Sequence, residues 1–178
     1  MIKSDVKVYL SLGGNLNNSL SAIKEAFDFL THHPKISDLK WSHFYRTSPV
    51  NVDADVWFVN TVCSFNTTLS LNDLFSFTQL VEKTLGKKPK PKNSSRLIDI
   101  DILFFGSTSH EDQSLQIPHP QWKNRLFVLK PLLDLTKNIE VISLNQKKTI
   151  YDLDSLLQFF NKETNQVVSL LEENPDIQ

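Results

Sequence analysis

Cysteine is almost absent from this chain of 178 residues, and Cys63 is its single example. One cysteine cannot form an intrachain disulfide, and it cannot build a metal cluster of cysteine ligands. Cys63 lies in the apolar run of residues 56–67, which reads as a strand. We therefore expect this thiol to pack in the core rather than to react.

The chain also lacks a strong excess of charge and a long hydrophobic run. Its formal net charge is −1, which gives no indication of bulk binding to nucleic acid or to an anionic membrane. No apolar stretch reaches the roughly 18 residues that a membrane-spanning helix needs. The first residues do not contain the apolar core of a signal peptide. We expect a cytoplasmic, soluble protein whose partners are neither nucleic acid nor membrane.

Glycine is scarce, with four in the chain, and no Gly/Ser or Pro linker marks a second domain. Residues 1–178 therefore read as one domain. Strands are predicted at residues 6–12, 39–46, 56–67 and 97–105. Two amphipathic helices, the second capped by Ser70, fall between the first and second strands and between the third and fourth. This βαββαβ order predicts an α+β, ferredoxin-like antiparallel sheet with both helices on one face.

The remaining chain is less regular. A short helix is predicted at residues 124–135, and a further helix at residues 150–160 with Thr149 as its cap. Residues 1–135 form the regular core of the prediction, and residues 136–178 form a C-terminal extension.

Two carboxylates interrupt the apolar strand at residues 97–105. Side chains alternate along a strand, so Asp99 and Asp101 share one face. Leu103 and Phe105 have the same parity, while Ile100 and Phe104 fill the other face. Desolvation and mutual repulsion both oppose two buried like charges, so a cationic group is expected beside them. Mg²⁺ with a bound phosphate is one such group; an edge strand with both aspartates facing water is the alternative.

Basic groups cluster immediately before this strand. Lys87, Lys88, Lys90 and Lys92 are followed by Arg96, and such a set can neutralise a polyphosphate. A solvated surface is the alternative for the lysine run. Downstream, His119 is held between two prolines, with Arg125 close behind it. This histidine has either a structural role or a role near phosphate.

Phe58 and Asn60 alternate onto one face of their strand, where a ring and a carboxamide can grip a flat heterocycle. Core packing with a hydrogen-bonded Asn is the alternative. Gln79 and Glu82 lie three residues apart on the second helix and can add polar groups to the same region.

The order and spacing of these segments resemble the 6-hydroxymethyl-7,8-dihydropterin pyrophosphokinases of folate biosynthesis. The resemblance spans about residues 8–133. It is carried by Leu-Gly-Gly-Asn-Leu at 12–16, Phe-Tyr-Arg-Thr-Ser-Pro at 44–49, Phe-Val-Asn at 58–60, Gln-Leu-Val-Glu at 79–82, Arg-x-x-Asp-x-Asp at 96–101, Pro-His-Pro at 118–120 and Asn-Arg-Leu-Phe at 124–127. The combination of Arg-x-x-Asp-x-Asp with a downstream Pro-His-Pro is highly specific for this family.

The resemblance implies a ferredoxin-like fold, ATP as co-substrate, two Mg²⁺ ions and transfer of pyrophosphate to the pterin, and we expect a monomer. It implies Asp99 and Asp101 as metal ligands. The positions that match the ATP site are Gln79, Glu82, Lys87, Arg96, Ile102, His119 and Arg125. Those that match the pterin site are Thr47, Pro49, Val50, Phe58, Asn60, Asp99 and Phe127. Catalytic roles fall on Asp99, Asp101, Arg96, Lys87 and Arg125.

Some positions depart from the family pattern. Asn93 stands where a Trp is common in the mobile loop, Ser114 where an Arg occurs, and Phe58 where a Tyr is frequent. Two other functions are compatible with the same residues. A ferredoxin-like RNA-binding module would use the lysine run, although its aromatic strand motif is missing. A metal-dependent phosphohydrolase would use the same aspartates.

Overall fold

The computed structural model describes residues 5–48, 57–87, 95–160 and 166–171. The first elements in chain order are β1 (Val6–Gly14), α1 (Ser19–Thr31), β2 (Ile36–Trp41), β3 (Tyr45–Thr47), β4 (Phe58–Thr67), α2 (Leu71–Thr84) and β5 (Asp99–Phe105). They are followed by β6 (His110–Glu111), β7 (Gln116–Ile117), a 3-10 turn (Trp122–Asn124), α3 (Leu126–Leu135), β8 (Asn138–Ile142), β9 (Lys148–Asp152), α4 (Leu153–Phe160) and β10 (Val168–Leu170).

The main sheet is antiparallel, with the strand order β10-β3-β4-β1-β5, and β2 also pairs with β4. The two apolar strands β1 and β4 lie at its centre, and β5 lies at one end of this order. The predicted ferredoxin-like arrangement of an antiparallel sheet and helices is confirmed. Because β5 is an end strand, one row of its backbone groups is turned away from the sheet.

Hydrophobic side chains cover both faces of the sheet. On one face, α1 and α2 pack over β1 and β4 through a buried cluster that includes Leu10, Ile23, Phe65 and Leu74. On the other face, α3, α4 and the β8–β9 hairpin form a second cluster with Val62. The prediction that two helices share a face is correct for α1 and α2, while the later helices cover the opposite face. Cys63 is fully buried, as expected.

The strand predicted at residues 39–46 is in fact two strands, β2 and β3. Ser42 lies at the break, where its Oγ accepts a hydrogen bond from Val62 N–H at 2.9 Å. A side-chain oxygen there satisfies a donor of β4, and regular pairing resumes only at Tyr45. A break of this kind leaves the hydrophobic pattern of the sequence unchanged.

The helix predicted at residues 150–160 begins three residues later, at Leu153. The first three residues of that range belong to β9, and Thr149, the predicted cap, lies opposite Val141 in the β8–β9 hairpin. Asp152 takes the role that we assigned to Thr149, because its carboxylate accepts the backbone N–H of Ser155 at 2.7 Å.

A bulge in β5 determines which of the two hydrophobic clusters Phe104 and Phe105 each contact. Tyr9 is opposite Phe104, but the next residue of β1 is opposite Ile102, so Leu103 is an extra residue. Phe104 therefore packs with the α3 cluster, on the face of the aspartates, and Phe105 packs with the α1–α2 cluster. Simple alternation along the strand predicted the reverse for both rings.

Within the described ranges, no helix is both long enough and apolar enough to cross a membrane.

Candidate functional site

One row of residues runs across the sheet and connects the two ends of the candidate site. Asp99 of β5 lies opposite Gly13 of β1, which lies opposite Asn60 of β4, which lies opposite Tyr45 of β3. Residues paired in this way place their side chains on the same face of a sheet. The carboxylate of Asp99 and the carboxamide of Asn60 therefore lie on the face covered by α3.

The two aspartates share this face, as their spacing predicted, but neither is fully buried. The side chain of Asp99 is 25% exposed and that of Asp101 is 44% exposed. The edge-strand alternative is thus correct about the position of β5 and the partial exposure of the carboxylates. The desolvation argument for an obligatory external cation is correspondingly weaker.

Cationic side chains of the chain itself surround both carboxylates. Lys87 Nζ lies 2.8 Å from Asp99 Oδ1, and Arg96 Nη1 contacts Asp99 Oδ2. Arg125 Nη1 lies 3.3 Å from Asp101 Oδ2, and His119 Nε2 lies 3.8 Å from the same oxygen. The four predicted basic residues are therefore brought to the two predicted acids.

Glu82 connects α2 to this cluster. Its Oε1 accepts the backbone N–H of Ile100 at 2.6 Å, at the outward edge of β5. The same oxygen lies 2.7 Å from Lys87 Nζ. Burial raises the pKa of the Glu82 carboxyl, although Lys87 and the Ile100 N–H oppose that rise. Burial acts to lower the pKa of Lys87, but its contacts with Asp99 and Glu82 outweigh burial and raise it.

The end of α2 directs Lys87 toward this cluster. Gly86 follows the helix with a φ of 92°, a conformation that glycine adopts at little cost. The chain therefore turns immediately before Lys87. Gln79, predicted to line the ATP side, lies one turn before Glu82 on α2, where it is exposed.

The end of β1 at Gly14, with Asn15 directly after it, fixes the start of the aspartate strand. Asn15 N–H donates to the carbonyl of Arg96, and Arg96 N–H donates to Asn15 Oδ1. A Cβ on Gly14 would collide with the carbonyl of Leu97 and with Ser19 Oγ. The site residues predicted from the sequence did not include Asn15. Its signal is the Leu-Gly-Gly-Asn-Leu motif at residues 12–16, for which no role in the site was predicted.

The predicted pterin end lies at the other end of the row. Asn60 is buried, and its Nδ2 donates to Thr47 Oγ1 at 2.7 Å. Gly13 leaves room for this carboxamide, because a Cβ there would collide with Asn60 Oδ1. Phe58 pairs with Thr47 across the ladder. The core-packing alternative also predicts a buried, hydrogen-bonded Asn.

Phe127 lies in the first turn of α3 and is partly buried, and the guanidinium carbon of Arg125 lies 5.5 Å from its ring centroid. One helix start therefore supplies both a predicted pterin residue and a predicted phosphate residue. The predicted residues Pro49 and Val50 lie outside the described residues, as do Lys88, Lys90 and Lys92 of the basic run.

A cleft of about 370 Å³ lies beside the outward edge of β5. Asp101, Ile102 and His119 line it together with Phe75 of α2 and residues 112–116 of the β6–β7 hairpin. Burial lowers the pKa of His119, although Asp101 acts against that shift. Its backbone N–H donates to the carbonyl of Leu103 at 3.0 Å, which ties this histidine to β5. Three residues predicted from the sequence thus line one cleft.

The donor set fits magnesium that arrives with a phosphate ligand. Among the described residues, no group of three or more His, Cys, Asp or Glu side chains could hold a metal ion. Asp99 and Asp101 supply only two carboxylates. Mg²⁺ is commonly bound by one or two carboxylates, with water and substrate phosphates as its other ligands.

Comparison with known proteins gives a consistent result. Residues 9–137 match the family described as 7,8-dihydro-6-hydroxymethylpterin-pyrophosphokinase (HPPK). The chain is 32% identical over 132 residues to 2-amino-4-hydroxy-6-hydroxymethyldihydropteridine pyrophosphokinase of Bacillus subtilis, covering 74% of this chain and 79% of that protein. It is 34% identical over 128 residues to the protein of the same name from Helicobacter pylori, covering 71% and 78% respectively.

Other relatives are longer than this chain. The bifunctional protein FolKE of Lactococcus lactis subsp. cremoris is 38% identical over 130 residues, which cover 73% of this chain and 37% of FolKE. The wild-type Plasmodium falciparum HPPK-DHPS crystal structure matches with a TM-score of 0.63 at 15% identity, covering 89% of this chain and 45% of that one. At that identity the likeness establishes the fold alone. The chain thus spans less than half the length of these multifunctional proteins.

Proposed function

Because the chain belongs to the 7,8-dihydro-6-hydroxymethylpterin-pyrophosphokinase family, we propose that it transfers pyrophosphate from ATP to 6-hydroxymethyl-7,8-dihydropterin. In this reaction the hydroxymethyl oxygen forms a bond to the β-phosphorus, and the bond from that phosphorus to the oxygen of the α-phosphate breaks. AMP leaves, and the hydroxyl proton is released. The products are AMP and the pterin diphosphate.

The observation that carries this proposal is the row of residues from Asp99 to Asn60. At one end of this row, the charged side chains around Asp99 and Asp101 suit a triphosphate with its metal ions. At the other end, Asn60 and Phe58 suit a flat polar ring. A transfer of this kind demands alignment and charge neutralisation more than covalent chemistry from the protein. We assign Phe58, Asn60, Thr47 and Phe127 to the pterin, with Pro49 and Val50.

On the nucleotide side, Asp99 and Asp101 would hold Mg²⁺, and we propose two ions. When bound, the metal neutralises the phosphate oxygens and stabilises charge that develops during transfer. Lys87, Arg96 and Arg125 are already placed around the two aspartates. We infer that these side chains exchange the carboxylates for phosphate oxygens when the nucleotide binds. Gln79, Glu82, Ile102 and His119 complete the proposed ATP side.

The test is AMP formation by the purified chain with ATP and Mg²⁺, in the presence and absence of 6-hydroxymethyl-7,8-dihydropterin. We expect AMP only when the pterin is present, and none when a chelator removes Mg²⁺. AMP or phosphate release without the pterin would support a phosphohydrolase instead. Salt-sensitive binding of RNA without any transfer would support the RNA-binding alternative.

Variants of two aspartates sharpen this test. Asp101→Ala removes a proposed metal ligand, and we expect kcat to fall by about 10²- to 10³-fold. Asp154→Ala, at an exposed position in the first turn of α4, is the matched control and is expected to leave kcat unchanged. Near-native turnover by Asp101→Ala would contradict the metal assignment. We also propose that the chain acts as a monomer, which sedimentation at working concentration would measure.

A further inference from the structure

The last described strand, β10, borders β3, the strand that ends at Thr47. It pairs antiparallel with β3, and Val168 lies opposite Thr47. Two further hydrogen bonds extend this ladder: Ser48 N–H donates to the carbonyl of Val167 at 2.9 Å, and Val167 N–H donates to Ser48 Oγ at 3.0 Å. Thr47 is therefore fixed by β4 on one side and by β10 on the other.

Gln166, two residues before β10, holds the start of α3. Its Oε1 accepts the backbone N–H of Leu126 at 3.1 Å. The first N–H groups of a helix have no partner within the helix, and Arg125 at the cap position makes no side-chain cap bond. Gln166 supplies the missing acceptor. Leu126 immediately precedes Phe127, so this bond fixes the backbone from which the Phe127 side chain projects.

Two additional contacts join β10 to α3. Lys130 Nζ donates to the carbonyl of Val168 at 2.8 Å. Leu126, Val168 and Tyr45 form a small buried cluster, and Phe127 packs against it. One short segment thus contacts the end of β3 and the first two turns of α3. These are the two places from which Thr47 and Phe127 enter the candidate site.

The segment lies outside the part of the chain that matches the family, which ends at residue 137. We propose that residues 166–171 position the pterin end of the site, and that Gln166 is a positioning residue that sets Phe127 relative to Thr47. This inference rests on the proposed function, because that function assigns both residues to the pterin. Gln166 acts through the Leu126 N–H rather than by touching substrate.

The test uses two variants of Gln166 in the full chain. Gln166→Leu removes the acceptor at similar size, and Gln166→Glu keeps an oxygen and adds a charge that a helix N-terminus favours. We expect Gln166→Leu to raise KM for the pterin about fivefold to twentyfold, with kcat and KM for ATP changed less than about twofold. Gln166→Glu is expected to restore the pterin KM to near that of the unsubstituted chain.

Two other variants complete the test, one as a control and one as a second probe of the same segment. Gln158→Leu, the same substitution at an exposed position of α4, is expected to leave all parameters unchanged. Lys130→Met removes a different bond to the same segment and is expected to raise the pterin KM by a smaller factor. Unfolding midpoints are recorded for each.

An unchanged pterin KM in folded Gln166→Leu would overturn the inference, and so would a general loss of kcat that Gln166→Glu does not restore. If Gln166→Leu does not fold, the inference is tested with Lys130→Met instead. An unchanged pterin KM in Lys130→Met would then overturn the inference. Lack of pyrophosphate transfer by the unsubstituted chain would instead contradict the proposed function.

Discussion

Asn15 holds both main-chain polar groups of Arg96. Asn15 N–H donates to the Arg96 carbonyl at 2.9 Å, and Arg96 N–H donates to Asn15 Oδ1 at 2.6 Å. Arg96 in turn contacts Asp99, three residues later. A buried amide after β1 therefore determines where the arginine and the aspartate strand begin.

Replacement of this amide is expected to reduce both stability and activity. Asn15→Ala leaves the partly buried Arg96 N–H without its acceptor, which costs about 1–3 kcal/mol in the free energy of unfolding. Urea denaturation measures that loss, and steady-state kinetics measures the fall in kcat that follows displacement of Arg96. Asn15→Asp keeps the acceptor oxygen and is expected to lose less unfolding free energy.

Asn18→Ala is the control for Asn15→Ala, because Asn18 is exposed and makes no side-chain cap bond. Equal stability of the two alanine variants would refute the role of Asn15.

Glu82 offers a comparison between charge and hydrogen bonding. Glu82→Ala leaves the Ile100 N–H without a partner and frees Lys87 from one of its two carboxylates, so we expect a loss of about 1–3 kcal/mol in unfolding free energy. Glu82→Gln retains an oxygen for Ile100 and is expected to lose less than half as much. Thermal or urea unfolding gives both values.

The matched control for Glu82 is Glu25→Ala on the exposed side of α1, which is expected to be close to neutral. If Glu82→Gln and Glu82→Ala were destabilised equally, the charge would matter more than the bond to Ile100.

Tyr45 gives a prediction that depends on pH. Its hydroxyl donates to Asp134 at 3.0 Å, and Asp134 also contacts His43 Nδ1 at 3.0 Å. Burial and the Asp134 carboxylate raise the pKa of Tyr45 well above 10.0. Since the folded pKa exceeds the unfolded one, the stabilisation is complete below pH 10.0 and is lost as the pH rises through the folded pKa.

Tyr45→Phe should therefore unfold more easily than the unsubstituted chain by about 1.5–3 kcal/mol near neutral pH. The difference should narrow as the pH rises above 10.0. Denaturation curves over a range of pH measure both effects. Tyr151→Phe keeps the ring contacts of Tyr151 with Trp122 and Lys123 and is the control. A constant difference at all pH values would show that the Tyr45 hydroxyl is not the titrating group.

Much of the fold was predictable because it depends on local pattern. The apolar stripe of α1 and the Ser70 cap of α2 are readable from neighbouring residues. Ser70 Oγ accepts the Asp73 N–H at 3.2 Å, as predicted. The bulge at Leu103 was not predictable, because one inserted residue does not alter the apolar character of the segment. Residues 150–152 form a strand because they pair with β8, which no local pattern reveals.

The same division applies to the candidate site. The grouping of Asp99, Asp101 and Arg96 was predictable from their residue types and their spacing within one short segment. Asn15 and Gln166, which act through the backbone of a residue distant in sequence, were missed. Asn15 contacts Arg96 across a separation of 81 residues, and Gln166 contacts Leu126 across 40. An amide in the sequence gives no sign of which distant N–H it will accept.

The pairing of β10 with β3 also has a consequence for synthesis of the protein. The hydrogen bond between Val167 and Ser48 joins residues 119 positions apart. A nascent chain that has emerged from the ribosome as far as residue 160 contains every residue of the two large hydrophobic clusters except Leu171. Leu171 packs against one of these clusters. The chain at that stage does not yet contain the strand that borders β3. The proposed pterin end would therefore form only after residues 166–171 have emerged, later than most of the interior of the described residues.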